Sequence, residues 1–506
     1  MARTDEIELK FEFGEDGELP SFEGLDGVVA VSEPVVHELR ATYYDTADGR
    51  LAAGGLALRR RRGGDDEGWH LKESVDANHR LETHAPLGAG RRGVPAELAA
   101  LVRSRTRRRK LVPVATVESR RIVRRLLDAD ASVLAEVADD HVTGAALGRP
   151  DTDPSSWREV EIELVDGGSD LLDAAAQRLA EAGAAPAAWG SKLARAMGDT
   201  GLDQRTEDPE VTASSTAGEV VTAHLREQVH ALVALDPLVR QDEHDAVHKM
   251  RVATRRLRSA LATFRRLLDR QVTEPIRDEL KWMGGVLGAA RDAEVIHARL
   301  CELLAAEPHD LVQGPVGARI DATMRERYAA AHARVLKAFD SARYLRLLDQ
   351  LDDVASGAVV TGDRAARRSA KQLPKEVRRA QRRWQRQVDA LAGLTGSARD
   401  LQLHEVRKSA KRLRYAADSV APAIGGRAER LADRMEQLQE VLGQHQDGVV
   451  TTEVIAGLAA EATAAGEESF TYGRLHAVEQ RAGEAGGIEA ATLIDDLADR
   501  RPAWLR

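Results

Sequence analysis

Apolar and polar positions alternate along the first 200 residues in short runs that turn residues separate. Eight of these runs have the two-residue period of a β-strand, with Gly, Pro and Asp between them. They are Glu6–Phe13, Leu39–Tyr44, Ala57–Arg62, Gly68–Ser74, His79–Leu87, Thr116–Leu127, Ser132–Asp140 and Trp157–Leu164. Helical patterns interrupt them at 95–104 and 169–183. Strands at this spacing predict a barrel or a sandwich.

The pattern changes after residue 218. From there to about residue 500, Ala, Leu, Arg and Glu recur with the 3.6-residue period of a helix, and no strand pattern is found. The preceding stretch, 201–217, is rich in small and polar turn residues and is interpreted as a linker. The sequence therefore predicts an α+β multidomain protein, with a β-rich domain at 1–200 and an all-α domain at 218–500.

An internal repeat divides the helical region. The run HKMRVATRRLR at 248–258 aligns with HEVRKSAKRLR at 404–414, an offset of 156 residues. Downstream, a Leu-Gly pair at 287–288 matches the pair at 442–443 with an offset of 155. Two motifs at nearly one offset predict two related helical bundles, which we expect to pack about a pseudo-two-fold axis. The two halves span about 218–350 and 363–500.

Composition narrows the class of protein. Aromatic residues make up only 4% of the 506 residues, so the cores must rely on Ala, Leu and Val. The start of the chain lacks the apolar region of a signal peptide, and no run approaches the roughly 18 apolar residues of a membrane span. The single cysteine, Cys301, excludes an internal disulfide and is interpreted as a buried small hydrophobic residue. These features predict a cytoplasmic protein without a membrane partner.

The net charge of −9 hides local basic blocks. Arginines cluster around 59–62, 103–109, 251–270 and 364–386, whereas acidic residues are spread along the chain or cluster elsewhere. A globally acidic protein with local basic blocks is typical of a localised polyanion site.

Five candidate strands carry formal charge on one face. Residues two apart in a strand share a face, so Glu6, Glu8 and Lys10 lie opposite Ile7 and Leu9. The same alternation groups Arg59 with Arg61, Arg80 with Glu82, Glu136 with Asp140, and Glu159 with Glu161 and Glu163. One charged face is usually solvated, but its repetition over five strands with mixed signs favours a closed barrel with a charged lumen.

A charged lumen must satisfy its charges with each other, with water or with a ligand. Basic side chains there would bind phosphate oxygens, and carboxylates would hold a hard cation through oxygen ligands. A cation that bridges phosphates and activates water would then support hydrolysis.

The ordered motifs of this region resemble the CYTH family, also called triphosphate tunnel metalloenzymes. The resemblance covers roughly residues 3–200 and rests on Glu6-x-Glu8-x-Lys10, Tyr44-Asp45-Thr46, Leu58-Arg59-x-Arg61, Leu71-Lys72, Arg80-x-Glu82, Glu159-x-Glu161-x-Glu163 and Ser191-Lys192. It implies an eight-stranded antiparallel β tunnel that binds triphosphate with Mg²⁺ or Mn²⁺.

The resemblance also implies roles for the charged residues of the tunnel. Those implied to contact triphosphate are Lys10, Arg59, Arg61, Lys72, Arg80, Arg121 and Lys192, with Arg120 as the alternative to Arg121. Those implied to hold the metal are Glu6, Glu8, Glu161 and Glu163, followed by Glu82, Glu136, Asp140 and Glu159.

Two basic stripes mark the helical region. On a helix, positions 248, 251, 255 and 258 share one face, and so do positions 404, 407, 411 and 414. These residues are His248, Arg251, Arg255 and Arg258 in the first stripe, and His404, Arg407, Lys411 and Arg414 in the second. A single basic stripe is usually a solvated face. Because like charges along a helix repel each other, two aligned copies favour a bound anion.

A third basic segment lies at 363–386. It contains ten Lys and Arg residues and only two acidic ones, and its pattern is helical. Such a helix is also compatible with nucleic-acid binding. However, aromatic stacking residues are few and no known DNA-reading motif is present, so specific nucleic-acid binding is not expected.

The paired stripes resemble the CHAD domain, a conserved-histidine α-helical domain associated with inorganic polyphosphate. The match covers about 215–500 and includes Arg291-Asp292 and Arg414-Tyr415. The implied polyphosphate-binding residues are the two stripes together with Arg256, Arg412, Lys371, Lys375, Arg378, Arg379 and Arg382. The alternative for the histidines is a metal pair formed by His244 and His248.

Together these features predict a metal-dependent hydrolase of inorganic triphosphate or short polyphosphate, with a helical domain that captures long polyphosphate and brings the protein to polyphosphate granules. One alternative is a polyphosphate-binding protein without catalysis, and a weaker one is an RNA-associated scaffold. No P-loop is present to support nucleotide hydrolysis by that route. The sequence carries no indication of an oligomeric state.

Overall fold

The structure is a computed structural model of the 506-residue chain, and it divides into two compact units, Met1–Glu207 and Asp208–Arg506. The residues it describes are 2–74, 78–90, 93–148, 153–198, 210–499 and 502–505. Residues 201–209 of the interpreted linker lie outside the described residues, so the predicted domain limits stay predictions.

The N-terminal unit is built on ten antiparallel strands among the described residues. They are β1 (Ala2–Glu12), β2 (Ala30–Val31), β3 (Val35–Asp45), β4 (Leu56–Arg62), β5 (Gly68–Ser74), β6 (His79–Ala85), β7 (Val112–Leu127), β8 (Val133–Ala146), β9 (Ser155–Leu164) and β10 (Ala185–Pro186). Eight of them follow the order β1-β6-β5-β4-β3-β7-β8-β9, and β9 pairs again with β1. The closed eight-stranded barrel is therefore confirmed, and the sandwich alternative is wrong because no edge remains between β1 and β9.

Of the eight predicted strands, only β5 has the predicted bounds, and β3 and β7 each begin four residues earlier than predicted. β8 continues past Asp140 to Ala146, because the extra residues keep their register with both β7 and β9. β1 begins at Ala2, where it pairs with β6 before it turns to β9. β6 ends at Ala85, since residues 87–90 form a short 3₁₀-helix.

Helices cover the outward apolar residues of β9, β4 and β5, whereas Ile7 on the outer face of β1 is exposed. The outward residues Val160 and Ile162 of β9 pack against Leu171 and Leu179 of α3 (Ser169–Glu181), and all four are buried. Around β4 and β5, the short helix α1 (Ala96–Leu101) covers a second apolar cluster, and α2 (Arg103–Thr106) follows it. Because helices cover these apolar residues, the charged residues are left to fill the barrel interior.

One end of the barrel interior is closed by α4 (Lys192–Met197). Leu193 and Ala196 of this helix pack against Val117, Val142 and Trp157, which belong to three neighbouring strands. The interior is therefore apolar at the α4 end and charged farther along. The hydroxyl of Ser191 caps the helix and directs Lys192 into the lumen.

The regular structure of the C-terminal unit is helical in its described residues, as predicted, apart from two isolated β-bridges. Its helices are α5 (Ala217–Arg240), α6 (Ala246–Thr263), α7 (Arg270–Ala305), α8 (Val316–Phe339), α9 (Ala342–Ala355), α10 (Ser369–Asp389), α11 (Gly396–Asp418), α12 (Ala421–Ile424), α13 (Gly426–Ala464) and α14 (Phe470–Asp499). One large core joins residues of both repeats, and a smaller core joins α7 and α8 with α13 and α14. No described helix combines the length and apolar character needed to cross a membrane.

The repeated Leu-Gly motifs have a structural counterpart. A Cβ atom at Gly288 of α7 would lie 3.6 Å from Nε of Arg251, and one at Gly443 of α13 would lie 3.0 Å from an Nη atom of Arg407. In both copies, the absence of a side chain lets an arginine of the preceding stripe lie against the next helix. The pseudo-two-fold arrangement of the halves stays a prediction.

The basic segment at 363–386 becomes helical later than predicted, at Ser369. The residues before it pair with the start of α5 instead: the amides of Ala217 and Gly218 donate to the carbonyls of Arg367 and Ala365, at 2.8 and 2.9 Å. These carbonyls accept from free N–H groups in the first turn of α5. If residues 363–368 were helical, the same carbonyls would accept hydrogen bonds within their own helix instead. The interpretation of Cys301 as a buried residue was also wrong, since its side chain is exposed.

A pH-dependent loss of stability is expected from His224 in α5. Its side chain is 12% exposed, and burial followed by the charge of Arg256 lowers its pKa to about 4 from an ordinary 6.5. As pH falls below 6.5, the unfolded chain takes up a proton that the folded chain does not, so folding weakens. Between pH 6.5 and 4 the free energy of unfolding should drop by about 3 kcal/mol more in the wild type than in His224→Gln. Chemical unfolding at a series of pH values measures this, and parallel curves for the two proteins would refute it.

Candidate functional site

The barrel encloses a cavity of about 360 Å³ whose lining is mostly charged. Thirteen of the fifteen residues predicted for the tunnel line it: Glu6, Glu8, Lys10, Arg59, Arg61, Lys72, Arg80, Glu82, Arg121, Glu136, Glu161, Glu163 and Lys192. The other two, Asp140 and Glu159, are buried next to it and contact Lys192. The structure thus brings together all the tunnel residues that the sequence pattern selected.

The sequence left open whether Arg120 or Arg121 faces the lumen. Arg121 lines the cavity, and its guanidinium donates to both carboxylate oxygens of Asp140, at 2.9 and 2.6 Å. Arg120 lies on the outer face, where its side chain is 52% exposed and 3.9 Å from Glu38. Arg121 is therefore the inward residue.

Three buried carboxylates surround one lysine at the inner end of the charged lumen. The Nζ atom of Lys192 lies 3.0 Å from Asp140, 2.5 Å from Glu159 and 2.9 Å from Glu161. Glu159 also accepts a hydrogen bond of 2.6 Å from the indole of Trp157. Oxygens of the three carboxylates lie within 4.8 Å of one another, so the group has the spacing of a cation site, and here an ammonium group fills it.

The pKa values reflect this balance of charge. Burial would raise the pKa of Glu161, but Lys10, Lys192 and Arg121 together hold it well below its usual value. Burial also opposes the ionisation of Asp140, and Arg121 with Lys192 keeps its pKa below the ordinary one. These two carboxylates are therefore fully ionised and already neutralised by side chains.

A second group of carboxylates is less well neutralised. Lys72 lies 2.5 Å from Glu6 and 3.8 Å from Glu82, so the two carboxylates share one ammonium group. Burial, followed by the hydrogen bond with Glu82, raises the pKa of Glu6 to about 7. Burial likewise raises the pKa of Glu163, which lies opposite Glu8 across the β1–β9 pair. Three carboxylates, Glu6, Glu82 and Glu163, thus interact with the same ammonium group of Lys72, and a bound cation would add positive charge beside them.

Positive charge is in excess on another part of the wall, formed by β4 and β7. Burial, followed by the like charges of Arg59 and Arg121, lowers the pKa of Arg61 to about 9. Arg61 contacts Asp66 in the turn after β4. The guanidinium stays charged at neutral pH, and the neighbouring charges that act on it most strongly are the positive ones of Arg59 and Arg121. An anionic ligand such as phosphate would supply the missing charge.

Several lining residues escaped the sequence analysis. His37 and Tyr43 enter the cavity from β3, and Arg125 pairs with Glu136 at 2.8 Å. His70 holds Glu82 through a contact of 2.6 Å between its Nδ1 and a carboxylate oxygen. The signal for Arg125 was its spacing of four residues from Arg121, which gives it the same face of β7.

The helical unit has a basic groove of about 700 Å³, bounded by α6, α7, α10 and α11. Eight arginines and two acidic residues contribute to its lining. The arginines are Arg265, Arg266, Arg277, Arg379, Arg382, Arg383, Arg386 and Arg412. Three of these, Arg379, Arg382 and Arg412, were predicted to bind polyphosphate. Of the other five, Arg265, Arg266, Arg383 and Arg386 belong to the basic blocks found in the sequence. Arg277 lies on α7, which carries neither basic stripe.

The two basic stripes meet beside this groove. The guanidinium groups of Arg255 and Arg414 lie 5.4 and 5.8 Å from the ring centre of Tyr415. Burial, followed by the charges of Arg383 and Arg277, lowers the pKa of Arg412. The positive potential therefore extends from the stripes into the groove.

The remaining twelve predicted polyphosphate residues lie outside the groove lining. They are His248, Arg251, Arg255, Arg256, Arg258, His404, Arg407, Lys411, Arg414, Lys371, Lys375 and Arg378. Arg414 contacts Glu436 at 2.5 Å, and Arg251 lies 3.7 Å from Asp292, so acidic neighbours offset part of the stripe charge. His244 lies before the first residue of α6, so the helical spacing that suggested the alternative His244–His248 metal pair is wrong.

Comparison with known proteins agrees with this architecture. The family model of the CYTH domain matches residues 4–196, and that of the CHAD domain matches residues 223–456. The chain belongs to the CYTH–CHAD proteins. The uncharacterized protein MT2285 of Mycobacterium tuberculosis is 40% identical to it over 99% of this chain and 98% of that protein.

Two solved structures are also similar to parts of this CYTH–CHAD protein. PptA from Streptomyces chartreusis is 24% identical, with a TM-score of 0.46 over 56% of this chain and 100% of that one. The CHAD domain from the plant Ricinus communis is 21% identical, with a TM-score of 0.40 over 60% of this chain and 93% of that one. CYTH domains act on triphosphate substrates and are generally metal-dependent.

Arg121 is expected to stabilise the barrel through its buried carboxylate partners. In Arg121→Met, Asp140 and Glu161 lose a charge partner in a site where Asp140 is fully buried. The free energy of unfolding should fall by about 3 kcal/mol. In the matched control Arg120→Met, which loses only a surface contact, the change should stay within about 0.5 kcal/mol. Hydrogen exchange of the backbone amides of β7–β9 in the full chain measures this loss of local stability. Equal protection of these amides in both variants would contradict the prediction.

Proposed function

We propose that the barrel hydrolyses inorganic triphosphate or a short polyphosphate with Mg²⁺ or Mn²⁺. The observation that carries this proposal is the separation of unbalanced charge inside one closed cavity. Glu6 and Glu163 lie where negative charge is in excess, and Arg61 lies where positive charge is in excess. A metal–triphosphate complex has the matching pair of charges.

The carboxylates suit a hard divalent cation. Glu6, Glu8 and Glu163 offer oxygen ligands only, which Mg²⁺ and Mn²⁺ prefer. When bound, such an ion would neutralise phosphate charge and lower the pKa of a coordinated water. The trio of Asp140, Glu159 and Glu161 is a poorer choice, because the ammonium group of Lys192 already lies between its three carboxylates. Glu8 also has cationic partners, Arg80 and Lys10, which would turn toward phosphate when a metal ion binds.

The basic side chains would bind and orient the phosphate chain. Arg59 and Arg61 of β4 and Arg121 of β7 line the same cavity, on two strands that β3 separates. Lys72 of β5 lines it as well and contacts Glu6. A phosphate at Arg61 would displace Asp66 from its guanidinium. Arginines that hold equatorial phosphate oxygens stabilise the charge that spreads over them in the transition state.

The activity assay compares two glutamates of the same barrel. Glu6→Gln removes a carboxylate from the proposed metal site, so release of phosphate from triphosphate with Mg²⁺ should fall by roughly 10²-fold. Glu38→Gln changes the same charge on the outer face, where the side chain is 78% exposed, and should leave the rate unchanged. Phosphate release at saturating Mg²⁺ is the measurement.

The same assay separates the enzyme from a polyphosphate receptor. If wild-type protein binds triphosphate but releases no phosphate in a metal-dependent manner, the catalytic proposal fails and the receptor alternative is favoured.

We further propose that the helical unit binds long inorganic polyphosphate in the basic groove. Support comes from the eight arginines gathered from α7, α10, α11 and the segment that follows α6, with two acidic residues among them. Of those two, Glu376 is buried and contacts Arg379, so it offsets little of the groove charge toward solvent. Binding there would bring the protein to polyphosphate granules in the cytoplasm. An RNA-associated scaffold remains the competing interpretation of the same surface.

Polyphosphate affinity and its salt dependence test the groove. Arg412→Gln should weaken binding and lower the slope of log affinity against log salt concentration by roughly 0.7, because one phosphate contact is lost. Arg334→Gln, a matched charge change at an exposed position of α8, should leave both quantities unchanged. Fluorescence anisotropy with labelled polyphosphate, and with RNA of equal charge, measures them. Equal affinity for RNA at raised salt would contradict polyphosphate specificity.

A further inference from the structure

A group of metal-ligating side chains lies in the helical unit, on α7 and α8. His297 and Cys301 are four residues apart on α7, so they share one face one turn apart. Asp321 of α8 faces them, and its Oδ1 lies 2.7 Å from Nε2 of His297. One nitrogen, one sulfur and one oxygen of these residues lie within 4.8 Å of one another.

The chemistry of the group differs from that of the barrel. A hydrogen bond between His297 and Asp321 alone would be an ordinary contact between two helices. The sulfur of Cys301 adds a soft ligand on the same face, and the sulfur is accessible because this cysteine is exposed. Imidazole, thiolate and carboxylate together match the ligands of Zn²⁺ rather than those of Mg²⁺.

We propose that His297, Cys301 and Asp321 form a binding site for a borderline divalent cation such as Zn²⁺, with water at the fourth position. The cation would replace the proton that His297 and Asp321 share. The three ligands would tie α7 to α8 close to the segment 306–315 that joins them.

To accept the ion, the three ligand atoms must reach tetrahedral distances from one another. The sulfur of Cys301, which lies within 4.8 Å of the other two ligand atoms, must come to about 3.6 Å from them, because a Zn–S bond is about 2.3 Å long. In a tetrahedral site with bonds of about 2.0–2.1 Å, neighbouring ligand atoms lie about 3.3 Å apart. The Nε2 and Oδ1 atoms must therefore separate by roughly half an ångström from their present hydrogen bond. Oδ2 of Asp321 is 3.4 Å from Arg325, whose side chain is 75% exposed and free to move into solvent when the carboxylate turns.

The single cysteine of the chain gives the proposal a selective test. Co²⁺ is the probe, because its bond to a thiolate produces a charge-transfer absorption that carboxylate sites do not produce. Full-length protein titrated with Co²⁺ should show this absorption at one equivalent, and Zn²⁺ should remove it. Cys301→Ser should abolish it, while its metal-dependent triphosphate hydrolysis stays at the wild-type rate.

Two further variants show whether all three residues act together. His297→Ala and Asp321→Ala retain the thiol, and each should lower the Co²⁺ affinity at least tenfold. His476→Ala, which removes a histidine of α14 outside the group, should not change the affinity. Far-UV circular dichroism verifies that each variant is folded. The site is disproved if the wild type shows no thiolate absorption, or if the absorption survives undiminished in both His297→Ala and Asp321→Ala.

Discussion

The burial of charge inside a closed barrel is the constraint on which the N-terminal unit depends. A charge without a partner in this interior would cost several kcal/mol, so each inward charge needs an opposite one nearby. Lys192 meets this need for Asp140, Glu159 and Glu161, and it does so from a helix that also closes the barrel end with apolar side chains. The same contact therefore completes the fold and removes those carboxylates from competition for metal. The charges that side chains balance less well, those of Glu6 and of Arg59 and Arg61 on β4, can then interact with a ligand.

The helical unit meets the same constraint in a different way. Its arginines lie along a groove rather than inside a closed lumen, so water can solvate them without a ligand. Aromatic contact also helps, as where two guanidinium groups approach the ring of Tyr415. Because few carboxylates accompany these arginines, the groove has the charge for binding an anion but lacks a cluster of oxygen ligands for a hard cation. Catalysis therefore belongs to the barrel in this account, and the groove belongs to binding.

Sequence periodicity predicted much of this arrangement, and its failures have physical causes. Alternation along β1 and β9 identified the inward carboxylates. Successive residues of a strand point to opposite faces, so the charged residues face inward once the apolar residues pack outward. The sequence did not show which of the adjacent arginines, Arg120 or Arg121, faces the lumen. Both choices agree with the sequence pattern until the pairing of β7 with β8 is known. The groove could not be predicted from the stripes, because Arg277 and Arg412 meet only when helices of both repeats pack together. The prediction that Cys301 is buried was wrong because the residue type alone does not show which face of α7 packs against the neighbouring helix.

The central claim is that unbalanced charge in the barrel positions a metal–triphosphate complex. A crystal structure of the full chain soaked with triphosphate and Mn²⁺, with anomalous diffraction to locate the ion, tests it most directly. We expect a Mn²⁺ peak beside Glu6, Glu8 and Glu163, with phosphate oxygens on Arg61 and Arg121. An ion beside Asp140 in place of Lys192, or triphosphate bound only in the helical groove, would contradict it.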